Sequence, residues 1–289
     1  MLFSLQQPLM QIPIAVIDTE TTGVSAAYGE RVIEVGIVRL EGGVAVREYQ
    51  QLIDPGRRIS AAVTVLTGIS QAMVVGRPRF ADQLPAMMSM LEGAAILGHN
   101  ITFDLSFLGS EFRRLGMDLR QSLAESPVLD TVRIARRRFG RGGNSLPVLS
   151  RRLGVEPVVA HRALADAQTT AAVFGKLLDP VGGWGLSLSD AIVEQGGVID
   201  IERLVEAGEG VLPLELQEAL ESGRPVMMEY LDGQGARTQR VVQPLHVRRN
   251  GEELLLVAHC QLRNDRRTFK VERIVRLMRI DPPPLAAGQ

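Results

Sequence analysis

The chain has 289 residues, 45% of them hydrophobic and 22% charged, with a formal net charge of −1, which excludes a disordered polar chain and a protein that coats nucleic acid by bulk attraction alone. At roughly 150 residues per domain, this length suggests two domains. No apolar run approaches the roughly 18 residues needed to span a bilayer, the apolar N-terminus lacks a basic stretch before it, and the single cysteine, Cys260, excludes an internal disulfide or a cysteine-cluster zinc site, so a cytoplasmic protein without membrane partners is expected.

Residues 12–17, 31–40 and 44–53 read as β-rich apolar runs, with Gly42-Gly43 marking the turn between the last two, a three-strand meander. A fourth strand is expected at 94–97. A helix from Asp104 follows, with Leu105, Leu108, Phe112 and Leu115 at helical spacing and Gly116 as its stop. Asn144 or Ser145 can cap a helix through Leu153, with Pro147 tolerated in its first turn and Gly154 ending it. Along 163–178, Leu164, Ala167, Ala171, Phe174 and Leu178 form one apolar stripe, closed by Asp179-Pro180. Strands with interleaved helices indicate an α/β layer fold over 1–180. A glycine-rich connector with short helical patterns is expected over 181–212, broken at Gly196-Gly197 and Gly208. Residues 213–282 then read as a helix at 213–222 and short strands at 226–231, 238–242, 254–259 and 268–271, the rhythm of a small, partly closed β-barrel, followed by a tail at 283–289.

The chemistry lies in three separated acidic elements. Asp18-Thr19-Glu20 ends an apolar strand, where side chains two apart share a face, so both carboxylates can point to one side. Asp104 stands at or near a helix start after Gly98-His99-Asn100. Asp166 sits in the first turn of the long helix, with His161 on the loop before it. Each alone has an ordinary explanation: a solvated loop, a helix cap, a surface histidine. Four carboxylates and a histidine together match what two-metal phosphodiester hydrolysis needs. Hard oxygen ligands suit two Mg²⁺ or Mn²⁺ ions roughly 3.5–4 Å apart, and an imidazole titrating near neutrality can deprotonate water.

At these residues the N-terminal part resembles the DEDDh 3′→5′ exonuclease family, in its DNA polymerase III epsilon-subunit-like branch. Val16-Ile17-Asp18-Thr19-Glu20-Thr21-Thr22-Gly23 is similar to the first family motif, His99-Asn100-Ile101-Thr102-Phe103-Asp104 to the second, and His161-Arg162-Ala163-Leu164-Ala165-Asp166-Ala167 to the third, with histidine in the place that assigns the DEDDh branch. Val32-Ile33-Glu34-Val35-Gly36, Leu129-Asp130-Thr131 and Asn144-Ser145-Leu146 are supporting matches. The resemblance implies an RNase H-like fold, metal held by Asp18, Glu20 and Asp166 with Asp104 completing the shell, and His161 as general base. It places Thr21, Thr22 and Asn100 near the scissile nucleotide. It also implies hydrolysis from nucleic-acid 3′ ends, DNA before RNA, releasing nucleoside 5′-monophosphates, with DNA repair as a setting. Two other readings remain open: a non-catalytic regulator that binds nucleic-acid ends, and an RNA-trimming exoribonuclease.

Residues 223–280 resemble a WYL domain, a small SH3- or Sm-like barrel, through Val226–Tyr230, Val242-Gln243-Pro244-Leu245, Gly251, Val257-Ala258-His259-Cys260, Arg267-Thr268-Phe269 and Arg273-Ile274; Leu254-Leu255-Leu256 stands where that family has its Trp-Tyr-Leu. Its basic residues cluster as Arg263, Arg266, Arg267, Lys270 and Arg273. Guanidinium forks match phosphate geometry, so Arg263, Arg267 and Arg273 are candidate contacts for nucleic acid or a nucleotide ligand.

Overall fold

The computed structural model describes residues 3–123, 125–156, 161–201, 212–251 and 253–280. The chain divides into two compact units, Met1–Leu212 and Pro213–Gln289.

In the first unit β1 (Ile14–Thr21), β2 (Val32–Glu41) and β3 (Val44–Leu52) form the expected meander. Gly42 and Gly43, with φ of 61° and 82°, supply the two positive-φ residues that a tight two-residue hairpin demands. Helices α1 (Ala61–Thr67), α2 (Gln71–Val74) and α3 (Phe80–Leu91) follow in a stretch for which sequence periodicity assigns no element. Next come β4 (Ala95–Gly98), α4 (Ile101–Arg114), α5 (Leu119–Leu123), β5 (Val128–Asp130), α6 (Thr131–Phe139), α7 (Leu146–Leu153), α8 (Ala163–Leu178) and α9 (Leu188–Glu194). The sheet order is β3-β2-β1-β4-β5, antiparallel on the β2 side of β1 and parallel on the β4 side. This mixed sheet flanked by helices is the α/β architecture expected of an RNase H-like unit.

Alternation along β1 builds two cores. Ala15 and Ile17 pack with Met87, Leu105 and Leu108 from α3 and α4, while Ile14 and Val16 pack with Leu149, Val173 and Phe174 from α7 and α8. Asp18 and Glu20 continue the second register. They lie within the strand rather than beyond its end, because β2 pairs with them through Gly36 and Glu34. Helix α4 likewise begins at Ile101, three residues ahead of the sequence-based start. Asn100, in the left-handed region at φ 61°, turns the chain into it. Asp104 is therefore a first-turn residue rather than the cap.

Residues 181–201 pack onto the preceding part of the first unit. The Trp184 ring meets Phe174 edge-on at 5.7 Å and covers Gly43, where a Cβ would lie 2.6 Å from the indole. Helix α9 buries Leu188 and Ala191. Buried Gln195 accepts the Asp130 N–H at 3.0 Å and donates to the Val128 carbonyl at 2.9 Å, completing the open side of β5. Truncation after residue 180 would uncover Phe174 and orphan these two backbone groups, each at about 1–3 kcal/mol. A fragment 1–180 is expected to melt well below 1–212 in a thermal scan; equal melting temperatures would refute this packing. The helical pattern expected up to about 210, with Gly208, and the tail 283–289 lie outside the described residues.

The second unit opens with α10 (Leu214–Ser222), then β6 (Val226–Leu231), β7 (Arg237–Asn250), β8 (Glu253–Cys260), β9 (Asp265–Lys270) and β10 (Ile274–Arg279), an antiparallel sheet in the order β10-β6-β7-β8-β9. Phe269 on β9 meets Tyr230 on β6 edge-on at 5.3 Å although two strands separate them, so the sheet curls strongly. Leu255, Leu256 and Cys260 are buried. Strand β7 runs well past the expected 238–242. Pro244, which removes a ladder donor and makes the sequence look interrupted, sits at a register shift that absorbs it. No helix among the described residues is long and apolar enough to cross a membrane.

Candidate active site

Three elements converge where β1 ends. The strand supplies Asp18 and Glu20 on the face that packs against α8. From the opposite layer α4 supplies Asp104, whose Oδ1 accepts both the Thr19 backbone N–H at 2.8 Å and the Thr19 hydroxyl at 2.7 Å. One oxygen thus ties helix to strand, and Oδ2 is the one left for a ligand.

The close approach of α8 depends on a glycine. Gly36 pairs with Asp18, and a Cβ there would lie 2.2 Å from the Ala163 carbonyl carbon and the Leu164 nitrogen. Only a residue without a side chain lets the first turn of α8 rest on the sheet. Ahead of that turn, His161 takes φ 62°, a strained conformation for a non-glycine residue. Its N–H donates to Asp166 Oδ2 at 3.0 Å. The five-residue spacing between histidine and aspartate therefore closes a loop. The result is that Glu20, His161 and Asp166 each offer a ligand atom within 4.8 Å of the others. Asp18 lies within the electrostatic reach of Asp104, Asp166 and Glu20. Glu20, His161 and Asp166 thus share one space, and Asp18 and Asp104 stand near enough for their charges to act on it.

The remaining candidates divide. The Asn100 backbone N–H donates to Asp130 Oδ1 at 3.0 Å, and its side-chain amide has no hydrogen-bond partner among the described residues. The Thr21 hydroxyl donates to the Gly23 carbonyl at 2.5 Å, and the Thr22 hydroxyl pairs with Glu30 while accepting the Arg31 N–H at 2.9 Å. Both hydroxyls are spent on building the turn. Arg263 lies in the β8–β9 turn, Arg267 on β9 opposite Ala258, and Arg273 in a single turn before β10. No hydrogen bond among the described residues joins these three.

Several supporting residues are given no role of their own by the sequence analysis. Fully buried Glu34 pairs with Arg162 at 2.6 Å. Buried Glu111, two turns beyond Asp104 on α4, accepts the Arg31 fork at 2.6 and 2.7 Å and so anchors the helix to the start of β2. The available signal was an acid inside an apolar run, Val32-Ile33-Glu34-Val35, and another on an otherwise apolar helix face. His99 is held at Nδ1 by the Thr131 hydroxyl at 2.8 Å; burial drives its pKa down to about 3, so it is neutral and structural rather than a rival base.

Withdrawal from water and mutual repulsion dominate the electrostatics. Burial first, then the charges of Asp104, Asp166 and Glu20, holds the Asp18 carboxyl well above the usual range. Glu20 is raised in the same way by burial, Asp166 and Glu34, with Arg162 opposing. Burial lifts Asp104 to about 7 against its Thr19 hydrogen bonds, and Asp166 to about 6 against the His161 N–H. Crowded oxygen donors that resist ionisation fit hard divalent cations, whose charge would reverse the penalty. These folded-state pKa values lie above the unfolded value near 4. The stability they contribute is therefore complete below about pH 4 and is lost as pH rises through about 6 and 7. In EDTA the melting temperature is expected to drop between pH 6 and 8, and Mg²⁺ or Mn²⁺ to raise it more at pH 8, where protons no longer compete. Scanning calorimetry checks this; a cation effect independent of pH would contradict it.

Residues 15–174 match the family profile described as exonuclease (RNase_T), and residues 213–278 match that of the WYL domain. A DNA polymerase III subunit epsilon-like protein of Rhodobacter capsulatus is 36% identical over 195 residues, 66% of this chain and 27% of that protein. The 3′-5′ exonuclease DinG of Bacillus subtilis is 36% identical over 165 residues, 57% of this chain and 17% of that protein. The chain thus spans only about a quarter or less of these relatives' lengths. Among solved structures, E. coli Exonuclease I in complex with a dT13 oligonucleotide aligns with TM-score 0.55 at 18% identity, over 86% of this chain and 55% of that one. The nuclease domain of 3′hExo, a DEDDh family member bound to rAMP, aligns with TM-score 0.52 at 17% identity, over 61% and 96%. At such identities the structural likenesses show the fold.

Proposed function

Because the chain belongs to the exonuclease family and also carries a WYL domain, we propose that it hydrolyses phosphodiester bonds stepwise from nucleic-acid 3′ ends, releasing nucleoside 5′-monophosphates. The observation that carries this reading is the meeting of Glu20, His161 and Asp166 within 4.8 Å beside Asp18 and Asp104. Asp18, Glu20, Asp104 and Asp166 would hold two divalent cations, Mg²⁺ or Mn²⁺. When bound, these would activate water and neutralise charge building on the phosphoryl oxygens. His161 takes the proton of the attacking water on an imidazole nitrogen, and Asp166 keeps its loop in place. Asn100 presents its uncommitted amide to the terminal nucleotide, whereas Thr21 and Thr22 approach it through their main chain.

DNA is the favoured substrate, in keeping with the similarity to a DNA polymerase III subunit epsilon-like protein. The WYL domain is assigned a holding or sensing role for nucleic acid or a nucleotide, through Arg263, Arg267 and Arg273. A module that merely bound nucleic-acid ends would gain nothing from four mutually repelling carboxylates, which lower the stability of the metal-free fold. The test is a 5′-labelled oligonucleotide incubated with the full chain and Mg²⁺ or Mn²⁺. Stepwise shortening from the 3′ end with mononucleotide release is expected, and binding without any cation-dependent release would reject the proposal.

A further inference from the structure

Glu34 and Glu20 stand directly opposite each other in the β1–β2 ladder. Like charges in that relation destabilise a sheet, yet Glu34 has 0% of its surface exposed. It is satisfied from three sides. Arg162 donates through Nη2 at 2.6 Å and Nε at 3.1 Å, the Ala163 backbone N–H donates at 3.0 Å, and Gln50 Nε2 donates at 2.9 Å. An apolar residue at position 34 would separate the strands from Glu20 with less desolvation, since a buried ion pair seldom repays the cost of leaving water. What the pair adds is a guanidinium in a fixed place.

The fork is side-on, using Nε and one Nη2 hydrogen. The outer edge, formed by Nη1 and the second Nη2 hydrogen, has no partner among the described residues, and 35% of the side chain is exposed. Arg162 adjoins His161 and lies within the electrostatic reach of Glu20. A site lined with carboxylates repels a phosphodiester, so a cation held at its rim has a clear use. Two parallel N–H groups fit two phosphate oxygens, and an anchored side chain loses little freedom in taking them.

We propose that Arg162 is a substrate-binding residue whose outer guanidinium edge engages the non-bridging oxygens of the phosphate at the acidic site, with Glu34 as its positioning residue. This rests on the exonuclease reading above. The experiment uses the full chain with Mn²⁺ and compares the wild type, Arg162→Gln, Arg162→Lys and the double variant Glu34→Gln/Arg162→Gln, which leaves no buried charge unpaired and so guards against simple misfolding. A wild type that does not shorten the oligonucleotide would defeat the exonuclease reading itself. With an active wild type, Arg162→Gln and the double variant are expected to raise KM about tenfold or more, the scale of a lost hydrogen bond to a charged group, with a smaller change in kcat. Arg162→Lys should recover only part, because an ammonium has no fork. Inhibition by thymidine 5′-monophosphate should weaken about tenfold in these variants while inhibition by thymidine stays unchanged, a split that general loosening of the site does not produce. A folded double variant with KM and monophosphate inhibition within twofold of the wild type would overturn the proposal. So would equal weakening towards monophosphate and nucleoside.

Discussion

Replacing Asp18 by asparagine is expected to lower exonuclease turnover by about a thousandfold or more and, at the same time, to raise the melting temperature of the metal-free protein. The first effect follows from losing an anionic ligand to cations that would supply several kcal/mol of transition-state stabilisation, each 1.4 kcal/mol being about a factor of ten. The second follows from the same crowding that holds the Asp18 carboxyl well above its usual range: burial and four neighbouring carboxylates oppose its charge. A neutral isostere relieves that repulsion, and each kcal/mol regained is worth about 2–4 °C in a unit of this size. Such opposition between activity and stability marks a site built for a ligand rather than for the fold. The variant should also lose much of the cation-induced rise at pH 8. Activity within tenfold of the wild type, or a melting temperature below it in EDTA, would count against the assignment of Asp18.

Placing a methyl group at Gly36 is expected to damage fold and activity together. A Cβ there would lie 2.2 Å from two backbone atoms of α8, and backbone cannot swing aside as the tip of a long side chain can. Either β2 or the first turn of α8 must shift. Overpacking of this kind costs about 1–3 kcal/mol, and more when only main chain can give way. The displaced turn is the one that carries His161 and Asp166, so a shift of even about 1 Å should lower turnover about a hundredfold. Chemical denaturation and steady-state kinetics of Gly36→Ala would show both losses. Wild-type stability would mean that α8 does not rest on this strand.

Much of the site can be seen in the linear chain because it rests on local chemistry. The apolar strand that delivers Asp18 and Glu20, the positive-φ turn at Gly42-Gly43 and the apolar stripe of 163–178 are all written in near neighbours, and the motif around each acid is short. What is not local stays hidden. Helices α1 and α2 are short and lack a sustained apolar period, α3 carries a helical stripe of Phe80, Leu84, Met87, Met88 and Leu91 that Pro85 interrupts in the linear chain, and β7 is masked by Pro244, which only the bulge opposite β8 makes tolerable. The Thr21 and Thr22 hydroxyls look available in sequence, yet Gly23 and Glu30 claim them. Glu34 passes for an isolated acid in a strand until the ladder sets it against Glu20 and the Arg162 fork reaches it across 128 positions.

By itself, then, the sequence determined the class of fold and the presence of two modules and pointed to five chemically apt side chains, since periodicity and residue type act over a few positions. Only the tertiary structure decided that these acids share one space, which partner holds each of them, and that Arg162 is anchored with an edge to spare. Those outcomes depend on strand register and on how closely a helix can approach a sheet, quantities fixed by packing between residues far apart along the chain.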